Sequence, residues 1–254
     1  RRVLFRSHQL TITTEGYSPQ IATQGNDIIH CTWEDSTMRI PYVRSVDGGI
    51  TFDTVRDLYD TTLFEKAILW KRIIANEHYV YIFFRDDEGN ISNLSRSIWM
   101  MRSTDNGAHW ETPRIISAKN STISIIGAAL CGYTIGIVYL SRLLKKRYDI
   151  LVSLDGGNTW TRNREKLPNS PEVRLAITPG YFHLVYVKYG ARKYIGGETR
   201  YRFSKNFGKS WKKDVKLTSI DRFSSYNPTI TATQNGFVAV AWRDGKYGSI
   251  SDGF

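Results

Sequence analysis

Cysteine is scarce in this chain: two among 254 residues, Cys31 and Cys131, each within a strand-like run. A pair so few and so far apart excludes a disulfide framework and reads as free thiols. Proline is sparse too, at seven, and no polar tract is long enough to signal disorder. No apolar stretch approaches the ~20 residues a membrane helix needs; the run from Ile123 to Tyr139 is broken by Gly127, Gly132 and Gly136. The five histidines (His8, His30, His78, His109 and His183) lack metal-ligand spacing, so neither a metal nor another cofactor is expected. The formal charge is +11, yet lysine and arginine are scattered without forming a dense run, which argues against a nucleic-acid partner. An initiating methionine is also missing. Arg1 to Ser7 read as a short-read sequencing adapter translated in frame. On that reading the gene was assembled from environmental reads, and residues 8–254 form the folded domain, incomplete at the N-terminus and, by its last repeat, at the C-terminus.

What is present is aromatic and repetitive. Phe, Trp and Tyr make up 13% of the chain, and its length allows a large core. Ser45-Val-Asp-Gly-Gly-Ile-Thr-Phe52 recurs as Ser103-Thr-Asp-Asn-Gly-Ala-His-Trp110, as Ser153-Leu-Asp-Gly-Gly-Asn-Thr-Trp160 and as Ser204-Lys-Asn-Phe-Gly-Lys-Ser-Trp211. The steps are 58, 50 and 51 residues, the spacing of a blade-sized unit. Asp47, Asp105 and Asp155 can accept hydrogen bonds from backbone N–H groups further along the turn, and Asn206 can do so without charge. Gly49, Gly107, Gly157 and Gly208 supply a positive φ. Phe52, Trp110, Trp160 and Trp211 can then fold back as apolar wedges. The motif is a stapled turn, with its aspartates structural.

Between these turns lie short alternating segments bounded by turn residues, the mark of antiparallel sheet. The expected strands are Pro19–Thr23, Ile28–Trp33 and Ile40–Ser45; Ala67–Ile74, Tyr79–Phe84, Ser97–Ser103 and Arg114–Ser117; Ile123–Ala129, Ile135–Leu140 and Tyr148–Ser153; Val173–Thr178, Phe182–Val187 and Thr199–Ser204; and Pro228–Thr233 and Phe237–Trp242. About five four-stranded blades and no helical period predict an all-β propeller. Strand direction alternates, so the start of each first strand and the end of each second strand share one rim, and the stapled turns lie on the opposite side. The second strands end in charge: Glu34-Asp35, Arg85-Asp86-Asp87, Arg142, Lys188-Tyr189 and Arg243-Asp244. Arginines there can grip a carboxylate bidentately, and a carboxyl can serve as acid or base.

The four turns resemble the Asp boxes, or BNR repeats, of the sialidase-like propellers, over Tyr17 to Asp244. The resemblance implies a six-bladed propeller of which this chain is a fragment, a glycan or glycoconjugate ligand, and secretion or display at the cell surface. It implies an exo-acting retaining glycosidase with an arginine triad, an Asp acid/base and a Tyr nucleophile assisted by Glu. Carried onto this sequence, the catalytic candidates are Asp35, Tyr226 and Glu172, with Tyr17 also near a first-strand start. The substrate-binding candidates are Arg85, Arg243, Arg142, Glu34, Asp86 and Asp244. Met38-Arg39-Ile40-Pro41 has the letters of the family's first arginine motif but stands in a third strand; the first strand of that repeat opens with Tyr17-Ser18-Pro19, which lacks the arginine. The alternative is a non-catalytic carbohydrate- or protein-binding propeller.

Overall fold

The computed structural model describes residues 16–34, 39–58, 68–86, 97–118, 122–141, 147–165, 170, 172–189, 197–219 and 223–245. It divides into two compact units, Arg1–Lys119 and Asn120–Phe254. No α-helix occurs among the described residues.

The first unit holds two antiparallel sheets, each a meander in sequence order. One runs β1 (Tyr17–Gln24), β2 (Ile28–Glu34), β3 (Pro41–Ser45), β4 (Arg56–Asp57); the other β5 (Ile68–Ala75), β6 (Val80–Asp86), β7 (Ile98–Ser103), β8 (Arg114–Ile115). The second unit repeats the pattern. Its sheets are β9 (Thr122–Cys131), β10 (Thr134–Ser141), β11 (Arg147–Ser153), β12 (Thr161–Glu165), then β13 (Val173–Thr178), β14 (Tyr181–Lys188), β15 (Glu198–Ser204), β16 (Val215–Lys216), and the pair β17 (Ser225–Ala232) and β18 (Val238–Asp244). The expected strands lie within or close to these elements. The polar β12 and the two-residue β16 complete the expected four-stranded blades, but their bounds were not legible because neither carries an alternating apolar signal.

Each unit is held by side chains interleaved between facing sheets. In the first, Tyr42 and Ile40 pack with Ile68, Ile73, Val80, Ile82, Phe84 and Met101. In the second, Val138, Ile150 and Val152 meet Val173, Leu175, Phe182, Leu184 and Tyr186. β14 is buried on both faces from Phe182 to Val187, which is why it reads as a continuous apolar run. Burial of one such side chain stabilises by about 1.5–3 kcal/mol. Cys31 and Cys131 are half-buried.

The stapled turns share one hydrogen-bond pattern. Ser45 Oγ donates to Asp47 Oδ1 at 2.7 Å, Gly49 N donates to Ser45 Oγ at 2.8 Å, and Thr51 N donates to Asp47 Oδ1 at 2.9 Å. Ser103, Asp105, Gly107 and His109 repeat it, as do Ser153, Asp155, Gly157 and Thr159. In the fourth turn the amide of Asn206 replaces the carboxylate, with Ser204, Gly208 and Ser210 around it. The serine is thus a second staple, legible in the sequence as an unvarying residue two places before the acid. Two of the closing aromatics pack inward: Trp110 meets Tyr42 of the sheet before edge-on at 5.2 Å, and Trp211 packs on the second unit's core.

Candidate functional site

Three first strands open with a kink that periodicity does not foretell. Ser18 in β1, Trp70 in β5 and Asn227 in β17 take positive φ (50°, 58° and 51°), each at a break in register with the second strand. Such non-glycine conformations cost of order 1–3 kcal/mol and persist where the surroundings fix them. Two carry a sequence signal, Tyr17-Ser18-Pro19 and Tyr226-Asn227-Pro228: proline has no N–H to lose where the ladder is interrupted.

Each of two kinks turns a backbone N–H toward a rim carboxylate. In the first unit Trp70 N donates to Glu34 Oε1 at 3.1 Å, tying the end of β2 to the start of β5. In the second, Asn227 N donates to Glu172 Oε2 across adjacent sheets. The other oxygen of Glu172 accepts from Tyr189 Oη at 3.0 Å. Glu172 directly precedes β13 and Tyr189 directly follows β14, so the first-strand start and second-strand end of one sheet join the first-strand start of the next. Burial, then the hydrogen bond to Glu172, pushes the Tyr189 phenol up to about 12. Beside this group, Arg243 at the end of β18 lies over the ring of its cross-strand partner Tyr226, 5.0 Å from the centroid. That stacking fixes the guanidinium at the rim, and among the described residues Arg243 makes no ion pair.

The expected site residues therefore fall as follows. Glu172, Tyr226, Arg243 and Asp244 come together at the second unit's rim. Glu34 and Arg85 stand at second-strand ends of the first unit, Arg85 5% exposed; Asp86 closes β6 opposite Ile68. Tyr17 is exposed, opposite Glu34. Asp35 and Arg142 lie outside the described residues. Arg39 is paired with Asp57 at 3.1 Å on the outer strand. Tyr189, the partner Glu172 takes, belongs to the polar second-strand end Lys188-Tyr189; Lys188 holds the position of Asp86 and Asp244, and Tyr189 stands one residue beyond it. Among the described residues no cluster of three His, Cys, Asp or Glu side chains could hold a metal. No described helix is long and apolar enough to cross a membrane.

No protein-family model matches the chain, and no curated protein matches it. Solved structures do. A Hadza microbial sialidase is 15% identical with TM-score 0.61, covering 87% of this chain and 50% of its own. An α-L-arabinanase of Penicillium chrysogenum, solved with arabinobiose, is 16% identical with TM-score 0.64, covering 91% and 76%. A GH93 α-L-arabinofuranosidase of Fusarium graminearum, also with arabinobiose, is 14% identical with TM-score 0.59, covering 89% and 74%. The chain thus spans half the length of the sialidase. What these likenesses share with the five sheets is the architecture: the chain has the fold of an all-β propeller with four-stranded antiparallel blades.

Proposed function

We propose that this propeller recognises glycans and works as an exo-acting retaining glycosidase of the sialidase-like superfamily, with Tyr189 as nucleophile and Glu172 as its base. One observation carries the reading: Tyr189 Oη donates to Glu172 Oε1 at 3.0 Å on a rim that also presents Arg243. A phenol held at about 12 keeps its proton at neutral pH, so attack needs a base within reach. In the step, Tyr189 Oη bonds to the anomeric carbon while its proton passes to Glu172. The bond to the departing alcohol breaks, and that alcohol takes a proton from a rim acid, for which Asp244 is the candidate. Water then releases the sugar from tyrosine by the reverse path. Arg243 binds a substrate carboxylate or hydroxyl. The sialidase, arabinanase and arabinofuranosidase among the structural neighbours support a glycosidic substrate. The four stapled turns are then Asp boxes, and the protein works outside the cell.

A second reading has its own support. Glu34 and Glu172 each give an oxygen to a kinked backbone N–H of the next sheet, as a structural clip does. A non-catalytic glycan-binding propeller needs no more than that. Hydrolysis of aryl sialosides and aryl arabinofuranosides separates the two. The expected result is turnover that Tyr189→Phe and Glu172→Gln each lower by about 10²–10⁴-fold and whose KM rises in Arg243→Ala. Turnover untouched by Tyr189→Phe rejects the nucleophile, and sugar binding without turnover by the intact chain selects the second reading.

A further inference from the structure

The four stapled turns build one corner from sequences of very different charge. In the twelve positions after the turn serine, residues 46–57 carry Asp47, Asp53, Asp57 and Arg56, a net −2. Residues 104–115 carry Asp105, Glu111 and Arg114, a net −1, and residues 154–165 balance two acids with two arginines. Residues 205–216 carry five lysines against Asp214 alone, a net +4. Five of the chain's fourteen lysines therefore stand on this turn and the outer strand β16 that follows it. The corner does not require them, because three copies form without a lysine.

The charges of the earlier segments are engaged: Asp53 with Arg44 at 2.7 Å, Asp57 with Arg39 at 3.1 Å, Glu111 with Arg102 at 2.9 Å and Arg56 with Ala108 O at 2.7 Å. In the fourth, only the end lysines have neighbours of this kind. Lys205 Nζ lies 5.7 Å from the centre of the Tyr181 ring, and Lys216 Nζ 3.8 Å from Glu198 Oε1. Lys209, Lys212 and Lys213 are exposed and make no ion pair among the described residues. Asp214 is taken up elsewhere, accepting from Tyr186 Oη and standing 3.7 Å from Arg200 Nη1. The turn's own acid is gone as well. Asn206 accepts from Ser204 Oγ and Ser210 N, as the aspartates of the other turns do from their partners, and brings no negative charge between Lys205 and Lys209. Lysines gained and an acid lost act in the same direction.

Lys209, Lys212 and Lys216 recur every three or four residues, at most ~10–14 Å apart along the chain. That is comparable with the ~8 Å over which physiological salt screens, so their fields overlap. Lysine is a hydrated point charge suited to spaced anionic groups. The aromatics of the segment face inward: Phe207 and Trp211 pack on the core, and the indole N–H of Trp211 donates to Gly208 O at 3.2 Å. The edge thus offers charge without the ring faces on which nucleic-acid bases stack.

We propose that this edge of the fourth sheet docks an anionic polysaccharide bearing carboxylates or sulfates along its length. The choice of a glycan rests on the function proposed above, and the charge of the edge does not. A polymer held by the turn, at the end of the sheet opposite Glu172 and Tyr189, keeps its chain ends at high effective concentration near the rim.

The test titrates the intact chain with heparin and with polygalacturonate at several salt concentrations. The expected result is binding that weakens with salt and falls about tenfold when Lys209→Gln, Lys212→Gln and Lys213→Gln are combined, the worth of three exposed ion pairs. Asn206→Asp, which restores the acid of the other turns, should lower affinity severalfold. Both variants should keep the melting temperature and the turnover of small aryl glycosides. Binding is read without turnover, so a chain that docks the polymer and hydrolyses nothing rejects the glycosidase and supports the docking edge. Affinity that survives the triple replacement overturns the proposal. It is equally overturned if single-stranded DNA, or vesicles rich in phosphatidylserine, bind the edge more tightly than either polysaccharide.

Discussion

At the scale of single residues, the stapled turns separate charge from geometry. Hydrogen bonds from the Thr51 side chain and backbone hold the Asp47 carboxyl at about 2, and those from Thr159 hold Asp155 at about 2; the His109 N–H drives Asp105 lower still. A carboxyl depressed from 3.8 stabilises the fold fully above about pH 4, and that contribution is lost as the pH falls toward 2. Asn206 makes the same turn with no such dependence, accepting from Ser210 N and donating to Ser210 Oγ at 2.9 Å. Asp155→Asn is therefore expected to keep the neutral-pH melting temperature within a few degrees and to weaken the acid sensitivity. Asp155→Ala leaves turn donors without an acceptor and should cost about 1–3 kcal/mol, at ~2–4 °C per kcal/mol for a chain of this size. Thermal unfolding at pH 7 and pH 3 checks both; equal losses in the two variants would mean that the turn does not depend on an acceptor here.

At the scale of elements, sheets are joined through turns that lie on a neighbour's side chains. Gly107 has φ +77° and faces Tyr42 Oη, whose ring is fully buried and hydrogen-bonded to His30. Gly25 has φ +61° with open space around it. Gly107→Ala should cost about 2–5 kcal/mol, from the left-handed backbone plus overpacking, and Gly25→Ala about 1–2 kcal/mol from the backbone alone. Denaturant midpoints measure the difference, and equal shifts would show that the Tyr42 contact yields without penalty. Most strands were legible because alternation and the Ser-Asp-Gly turn mark them locally. The kink at Trp70 was not, since no proline follows it and a positive φ outside glycine is imposed by neighbours: Glu34 reaches Trp70 from another strand, as Glu172 reaches Asn227, whereas Pro19 and Pro228 mark the kinks at Ser18 and Asn227. The pairing of Glu172 with Tyr189 was hidden for the same reason, for the sequence places Tyr226 and Tyr189 equally well at the rim.

At the scale of the molecule, neighbours named as sialidase, arabinanase and arabinofuranosidase share one architecture at 14–16% identity. The architecture therefore leaves the substrate open, and the rim decides it. Repetition made the fold readable, because one motif read four times outweighs the weakness of any single copy. The site was half readable: strand ends identify which residues reach the rim, but chemistry depends on which of them touch. The direct test of the account is to trap the glycosyl–enzyme intermediate with fluorinated activated glycosides of the sialosyl and arabinofuranosyl classes and to map the adduct by peptide mass spectrometry. The account predicts a sugar on Tyr189 of the intact chain, absent from Tyr189→Phe; hydrolysis that proceeds with the adduct on another residue, or with none, would contradict it.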